Sequence, residues 1–227
     1  MTKAVLFDLD ETLIHRDAAI GRFVAAQYAR FASALAPLTE TQYSERFLDL
    51  EDDGRIDKQL VYPALVKALG ITGVTSGALL ADYRATYPGF ATLNPGAMET
   101  LRALHDHGLK LGIVTNGNAA VQKGKIDAIG IRPLLSCVVI SETAGLRKPD
   151  PAIFQHAADL LGVAAADCVF VGDNPEVDVI GATAAGMRGV WFKAGTPWPA
   201  TLPPPALAID ALPACVPIAL SGAKPPA

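Results

Sequence analysis

Hydrophobic residues occur along this chain in two patterns, as short continuous runs and as stripes with helical spacing. The continuous runs have the length of β-strands and lie at residues 3–7, 109–114, 137–140, 168–171 and 189–192. Apolar residues at most positions are typical of parallel strands that are covered on both faces. The runs alternate with helical patterns at 96–107, 151–161 and 176–185. This alternation predicts a doubly wound α/β fold built on a parallel sheet.

The segment from residue 16 to residue 92 breaks the alternation, because its apolar residues have helical spacing throughout. Helices are predicted at 17–36, from Thr39 onward, from Asp57 to Leu69 and at 76–87. Leu60 is expected on the buried stripe of the third helix, and Pro63 is expected to kink or split that helix. The pattern therefore predicts a helical domain at residues 16–92, inserted into an α/β core of residues 1–15 and 93–220.

The C-terminal part of the chain has a weaker pattern. Five prolines between residues 197 and 205 indicate an extended crossing, and Leu207 to Asp210 has the pattern of a final short strand. A weak helix is predicted after that strand, and residues 221–227 are expected to form a disordered tail.

The composition excludes several classes of protein. Hydrophobic residues make up 51% of the 227 residues, which is too many for a disordered chain. Asp and Glu outnumber Lys and Arg by 23 to 19, so no nucleic-acid polymer is expected as a partner. The apolar runs are far shorter than the about 20 residues of a membrane span, and carboxylates interrupt the N-terminal run, so neither a membrane nor a signal peptide is expected. The three cysteines lack the spacing of a disulfide framework or a zinc site, and a cytoplasmic location is expected.

A group of polar residues follows each of the first four predicted strands. The groups are Asp8 with Asp10, Thr115 with Asn116 and Gly117, Lys148, and Asp173 with Asn174 and Asp178. In parallel α/β sheets, ligands bind at the carboxyl ends of the strands, near the point where the strand order reverses. The four groups are therefore expected to converge on one site.

These residue types suit the transfer of a phosphoryl group. The carboxylates of Asp8 and Asp10 would repel each other in a dry pocket, and a bound divalent cation usually neutralises such a pair. Asp8 and Asp173, with the main-chain carbonyl of Asp10, offer the hard oxygen ligands that Mg²⁺ prefers. One carboxylate beside the ion can attack phosphorus, and a second can exchange protons with the leaving oxygen and with water. Thr115, the amides after it and Lys148 would hold the phosphoryl oxygens.

Taken together, the motifs resemble those of the haloacid dehalogenase-like (HAD) hydrolase superfamily. Four motifs match, and they follow one another along the chain in the same order as in that family. They are Asp8-x-Asp10-x-Thr12, Thr115, Lys148-Pro149 and Gly172-Asp173-x-x-x-x-Asp178. The match runs from residue 4 to about residue 210. It implies a Rossmann-like core, and it implies that the helical insertion is the α-helical cap of the first subfamily.

The resemblance also implies roles for single residues. The implied roles are nucleophile for Asp8, general acid and base for Asp10, metal ligand for Asp173, and phosphoryl binding for Thr115 and Lys148. Asp178 would order the metal shell or Lys148. The resemblance assigns no role to Asn174, which is expected only behind the residues that touch the metal or substrate. The implied function is that of a magnesium-dependent phosphatase acting on a small phosphate ester, such as a nucleotide or sugar phosphate.

Several other functions remain open. A 2-haloacid dehalogenase would use the same nucleophile, but the relatives with that activity lack the second acid, so Asp10 counts against it. A phosphomutase and a protein that only binds a phosphorylated metabolite are further alternatives. A phosphonate hydrolase would need a Schiff-base lysine in the cap, for which Lys58 and Lys67 are poor candidates. Thr115 also suits a simple helix cap, a role compatible with phosphoryl binding.

Choice among substrates is expected to depend on the helical insertion, near residues 50–57. Gly54 permits a turn there, and the guanidinium of Arg55 would bind an anionic substrate. The alternative for Arg55 is a solvated surface arginine. Nothing in the pattern specifies an oligomeric state.

Overall fold

The computed structural model describes residues 1–195 and 197–221, and within these ranges six strands form one parallel sheet. The strands are β1 Ala4–Phe7, β2 Lys110–Thr115, β3 Cys137–Ile140, β4 Cys168–Gly172, β5 Arg188–Phe192 and β6 Ala208–Ile209. Every residue of β1, β4 and β5 is buried, so both faces of the sheet are covered. The doubly wound α/β fold predicted from the apolar runs is confirmed.

The strand order is β3-β2-β1-β4-β5-β6, so the chain starts in the middle of the sheet and builds outward to both sides. The order reverses between β1 and β4, where Phe7 lies opposite Val171. Ligands of such sheets bind at the carboxyl ends of the strands beside this reversal. A functional site is therefore expected in the segments that directly follow β1 and β4.

The chain divides into two compact units, and one of them, Arg16–Thr92, is helical. Its helices are α1 Arg16–Arg30, α2 Ala32–Leu35, α3 Glu40–Glu51, α4 Lys58–Leu69 and α5 Ser76–Thr86, followed by a 3₁₀ turn at Tyr87–Phe90. All residues of this unit are described, and none belongs to a strand of the sheet. The single helix expected at 17–36 is interrupted at Phe31, so α1 and α2 are separate. Thr39 and Gln42 form a capping box at the start of α3, where the sequence predicts a helix from Thr39 onward.

Helix α4 departs from its expected pattern in two respects. It continues through Pro63 without a break, so the expected split is wrong. The proline lacks one backbone N–H, but the Asp57 side chain caps the first turn and the buried face of the helix stays in the core. Leu60 is 67% exposed, so its expected burial is wrong as well. The buried face consists instead of Val61, Tyr62 and Leu65, with Lys58 at its start.

The second unit comprises Met1–His15 and the chain from Leu93 onward. Its helices are α6 Ala97–Asp106, α7 Ala119–Ala128, α8 Ser141–Ala144, α9 Pro151–Leu161, α10 Gly181–Ala184 and α11 Cys215–Leu220, with a π-helical turn at Pro175–Ile180. On one face of the sheet, Leu6, Val114 and Phe170 pack against α9. The rings of Phe154 and Phe170 pack edge to face, with their centroids 4.9 Å apart. We call this unit the α/β unit.

The C-terminal strand and helix predicted from the sequence correspond to β6 and α11. Of the expected disordered tail, residues 222–227 lie outside the described residues. Cys137, Cys168 and Cys215 are buried free thiols that pack in the α/β unit. Across the part of the chain that the structure describes, no helix has the length and apolar character needed to cross a bilayer.

Candidate active site

A buried group of charges lies at the carboxyl end of β1. Asp8 follows the strand, and its main-chain N–H donates to the Val171 carbonyl of β4 at 2.9 Å, so the sheet fixes its position. Lys148 Nζ donates to Asp8 Oδ1 at 2.5 Å and to Asp178 Oδ1 at 2.6 Å. Burial alone would lower the pKa of Lys148, but the charges of Asp178 and Asp8 outweigh it and raise that pKa. Lys148 is therefore protonated at neutral pH.

Asp173 joins Asp8 and Asp178 in what we call the carboxylate cluster. One oxygen of each of the three side chains lies within 4.8 Å of the others, close enough to share one ion. Burial raises the pKa of Asp8 to about 7, although Lys148 partly opposes the shift. Burial and the charges of Asp8 and Asp178 raise the pKa of Asp173 to about 8. When its three carboxyl groups are ionised, the negative charge of the cluster exceeds the single positive charge of Lys148. The carboxylate oxygens are suitable ligands for a divalent cation.

Asp173 is oriented by two residues from neighbouring segments. The Thr12 hydroxyl donates to Asp173 Oδ1 at 2.9 Å and accepts the main-chain N–H of Asp173 at 3.1 Å. Trp191 Nε1 of β5 donates to the main-chain carbonyl of Asp173 at 3.1 Å. Thr12 was part of the sequence motif but had no predicted role. Trp191 was not predicted at all, because only the strand order brings β5 beside the end of β4.

The turn after β4 explains why a glycine precedes Asp173. A Cβ atom on Gly172 would lie 2.4 Å from Asp178 Cβ, which is closer than two side chains can approach. Asp178 Oδ2 accepts the N–H of Asn174 at 3.0 Å, and Asn174 Oδ1 accepts the N–H of Val177 at 3.0 Å. Asn174 thus closes the turn, while Asp178 contacts Lys148 and contributes to the carboxylate cluster.

Asp10 lies outside this cluster and is held by two residues of α7. Lys125 Nζ donates to the two carboxylate oxygens of Asp10 at 2.7 and 2.9 Å. Gln122 Nε2 donates to Asp10 Oδ2 at 2.9 Å. Lys125 and Gln122 are only 3% and 2% exposed. Neither residue is predicted from the sequence, because a glutamine and a lysine three residues apart are ordinary on a helix.

The loop between β2 and α7 carries the other predicted phosphoryl-binding residues. Thr115 Oγ1 accepts a hydrogen bond of 2.7 Å from Gln122. The Asn116 side chain exchanges two hydrogen bonds of 3.0 Å with the main chain of Lys148. The Gly117 N–H donates to the Ser141 hydroxyl of α8 at 3.0 Å. Asn116 therefore joins the loop to the Lys148 segment, and Thr115 shares a partner with Asp10.

Arg55 belongs to the helical unit, in the loop between α3 and α4. Its side chain is 68% exposed and pairs with Asp52 at 3.1 Å and with Asp53 at 3.7 Å. Asp52, Asp53 and Gly54 all have positive φ angles, so the loop makes a tight left-handed turn before the arginine. Arg55 is thus presented on an exposed loop, and its role toward a substrate stays a prediction.

The family model of the haloacid dehalogenase-like hydrolases matches residues 2–186, which include the carboxylate cluster, Lys148 and the residues around Asp10. The chain belongs to this family. The resemblance predicted from the motifs is thereby confirmed. In this hydrolase the matched segment begins just before β1 and continues past α10, so it spans both units.

Relatives of this hydrolase catalyse more than one reaction. It is 33% identical to a glyceraldehyde 3-phosphate phosphatase of Methanopyrus kandleri over 199 residues, covering 86% of this chain and 85% of the relative. It is also 33% identical to a phosphoglycolate phosphatase of Rhodospirillum rubrum over 199 residues, covering 86% and 81%. The crystal structure of a 2-haloacid dehalogenase from Pseudomonas syringae is similar, with a TM-score of 0.68, 29% identity and coverage of 97% and 99%. Proteins similar to this chain are therefore named for action on phosphate esters and on 2-haloacids.

Proposed function

We propose that this hydrolase is a magnesium-dependent phosphatase that hydrolyses the phosphomonoester of a small metabolite through an aspartyl-phosphate on Asp8. The observation that carries the proposal is the separate placement of two acids. Asp8 lies in the carboxylate cluster beside Lys148, whereas Asp10 is held outside it by α7. A nucleophile and a separate proton donor are the two groups that hydrolysis of a phosphate ester requires.

The carboxylate cluster fits Mg²⁺, because its donors are hard oxygens and its charge is in excess of that of Lys148. Asp8 and Asp173 would hold the ion together with the main-chain carbonyl of Asp10, and Asp178 is near enough to contribute. The bound ion would neutralise the cluster and polarise the phosphoryl group. The Thr12 hydroxyl keeps the Asp173 carboxylate turned toward this position.

Asp8 would attack phosphorus with the carboxylate that Lys148 orients. Because Lys148 is protonated and contacts Asp8 Oδ1, it is placed to pair with a phosphoryl oxygen that approaches the same carboxylate. The Thr115 hydroxyl would bind a second phosphoryl oxygen while its own oxygen accepts from Gln122. These contacts stabilise the charge that develops as the phosphoryl group moves to Asp8.

Asp10 is what favours a phosphatase over a dehalogenase. An alkoxide leaves poorly unless an acid protonates it, whereas a halide leaves without a proton. Asp10 would supply that proton and would then take one from the water that opens the aspartyl-phosphate. Its side chain is 24% exposed, so substrate and water can reach it. The likeness to a solved 2-haloacid dehalogenase makes that activity the second candidate, but it would leave Asp10 without a chemical role.

The substrate is proposed to be a small phosphorylated metabolite with an alkyl leaving group. Two relatives at 33% identity are named for glyceraldehyde 3-phosphate and for phosphoglycolate, which are both small alkyl phosphates. We assign the helical unit the role of a cap that selects the leaving group. Arg55, on its exposed loop, is the side chain proposed to bind an anionic part of the substrate.

A panel of phosphate esters tests this function. Phosphate release from glyceraldehyde 3-phosphate, phosphoglycolate, sugar phosphates and nucleotides is measured with Mg²⁺ and again with excess chelator. At least one ester is expected to be hydrolysed with Mg²⁺ and none with chelator. Asp10→Asn is expected to lower turnover by at least about 10²-fold. Halide release from 2-haloacids at a comparable rate, an isomerised phosphate ester as the product, or full activity in chelator would contradict the proposal.

A further inference from the structure

The two residues of α7 that hold Asp10 lie outside the set of motif residues quoted from the sequence. We propose that Lys125 and Gln122 form a clamp that positions Asp10 for proton exchange and couples it to the phosphoryl-binding hydroxyl of Thr115. This inference rests on the proposed phosphatase function and adds two positioning residues to it. Neither residue is assigned contact with the substrate.

The geometry of the clamp restricts Asp10 strongly. Lys125 contacts both oxygens of the Asp10 carboxylate, at 2.7 and 2.9 Å, and Gln122 contacts Oδ2 at 2.9 Å. A carboxylate held at both oxygens cannot rotate about its terminal bond without losing a contact. The ammonium and amide groups are buried, so water does not readily replace them. The clamp therefore fixes where the Asp10 oxygens point.

One amide group joins Asp10 to the phosphoryl-binding loop. Gln122 Nε2 lies 2.9 Å from Asp10 Oδ2 and 2.7 Å from Thr115 Oγ1. The two hydrogens of the amide can serve both acceptors at once. Because Thr115 accepts from Gln122, its hydroxyl donates only a long hydrogen bond of 3.5 Å to the Asn116 carbonyl, which a phosphoryl oxygen would replace as acceptor. The clamp thus sets the distance between the proton donor and the phosphoryl-binding hydroxyl.

Helix α7 is itself anchored close to Thr115, which makes it a rigid support for the clamp. Asn118 caps the helix by accepting the N–H of Val121 at 3.3 Å. Glu142 accepts from the Asn118 side chain at 2.9 and 3.0 Å and from the N–H of Ala119 at 2.7 Å. These bonds join the start of α7 to α8. Gln122 and Lys125 follow within the first two turns, on one face of the helix.

The leaving group reveals whether the clamp acts through Asp10. Release of an alkoxide from an alkyl phosphate depends on a well-placed acid, whereas p-nitrophenolate leaves without one. Both kinds of substrate carry the same phosphoryl group, so a general loss of positive charge or of phosphate binding would slow both equally. A fault in the placement of Asp10 would slow the alkyl phosphate far more.

The experiment compares Lys125→Met with the parent enzyme, using the best alkyl ester of the panel and p-nitrophenyl phosphate. The value of kcat/KM is used because it includes departure of the leaving group. Lys125→Met is expected to lower kcat/KM for the alkyl ester by about 10- to 100-fold, as misplacement of a catalytic group can do. The fall for p-nitrophenyl phosphate is expected to be less than about 3-fold, on the same reasoning. Gln122→Leu removes the amide that contacts both Asp10 and Thr115, so it is expected to slow both substrates and to slow the alkyl ester more.

Two controls make the result specific. Lys123→Met removes an exposed lysine from the same helix and is expected to leave kcat/KM unchanged for both substrates. In an Asp10→Asn background, Lys125→Met is expected to have less than about a 2-fold further effect, because residues that act as a unit are not additive. Equal slowing of both substrates, faster turnover of the alkyl ester, or a full further loss in the Asp10→Asn background would overturn the clamp. A parent enzyme that hydrolyses no ester would overturn the proposed function, and the clamp with it.

Discussion

The buried polar groups around Gln27 in the helical unit satisfy one another, whereas the buried charges at the end of β1 in the α/β unit do not. Gln27, fully buried, donates to the Leu79 carbonyl and to Asp82, and its carbonyl oxygen accepts from Tyr43 and Tyr62 at 2.8 and 2.9 Å. The carboxylate cluster of the α/β unit instead gathers three acids around a lysine. One network is complete within the protein, and the other calls for a ligand.

The ion pairs of the two units show the same contrast, because the charges are balanced in the helical unit and acidic groups are in excess at the end of β1. In the helical unit, Glu51 Oε2 accepts from both Arg16 and Lys58, the latter at 2.8 Å, and Arg16 also contacts Asp17 at 3.1 Å, so two cations meet two carboxylates. At the end of β1 the acids are in excess, and burial with mutual repulsion raises the pKa of Asp8 and of Asp173. Satisfied polar networks stabilise a fold, whereas an unbalanced one lowers stability and marks a functional site. Matched substitutions in the two units should therefore have opposite effects.

The largest effect is expected from Asp173→Asn in the carboxylate cluster. Loss of a charged ligand should lower kcat/KM by at least about 10²-fold and raise the Mg²⁺ concentration needed for activity. Because the change also relieves repulsion, the metal-free variant should be more stable than the parent by about 1 kcal/mol in urea unfolding. Unchanged kinetics would remove Asp173 from the site, and lower metal-free stability would contradict the charge excess.

Glu51→Gln in the helical unit should have the opposite effect on stability. The change leaves Arg16 and Lys58 without a buried carboxylate, and breaking such a pair costs about 3 kcal/mol of unfolding free energy. Glu45→Gln, at an exposed position in the middle of α3, is the matched control and should cost less than about 0.5 kcal/mol. If both variants unfold at the same urea concentration, the pairing of Glu51 contributes nothing to stability.

The pH dependence of metal binding sharpens the comparison further. The pKa values of Asp8 and Asp173 are raised to about 7 and about 8, so the folded protein keeps protons that the unfolded chain has already released. The metal-free protein should therefore lose stability as pH rises from about 4 toward 8. Since Mg²⁺ must displace those protons, its affinity should increase at least about tenfold between pH 6 and pH 8. Calorimetric titration at the two pH values measures this, and an affinity independent of pH would contradict it.

The smallest effect is expected from Arg55→Ala. If Arg55 binds an anionic part of the substrate, the change should raise KM by about 10-fold and alter kcat less, because one charged contact is lost. Arg46→Ala removes another exposed arginine from the helical unit and serves as the control. Identical KM values for the two variants and the parent would assign Arg55 to the solvated surface.

The sequence predicted those features that depend on local pattern. Strands buried on both faces leave continuous apolar runs, so β1 through β5 were visible, and the motif residues Asp8, Thr115, Lys148 and Asp173 could be placed at their ends. What escaped prediction depends on tertiary placement. Lys125 and Gln122 reach the site only because α7 packs beside Asp10. Trp191 reaches it only because the strand order places β5 next to β4. Leu60 was misplaced because Val61, Tyr62 and Leu65 of α4 face the core instead, and helical spacing alone does not show which adjacent stripe is buried.

Asp8 is the proposed acceptor of the phosphoryl group, and transfer to it can be measured directly. The Asp10→Asn variant is mixed with p-nitrophenyl phosphate and Mg²⁺, since this ester needs no proton to leave and the variant lacks the base that opens the aspartyl-phosphate. After rapid quenching, digestion and mass spectrometry, the phosphoryl group is expected on the peptide that contains Asp8, and borohydride should reduce that residue to homoserine. Release of p-nitrophenol with the phosphoryl group on another residue, or on none, would contradict the account.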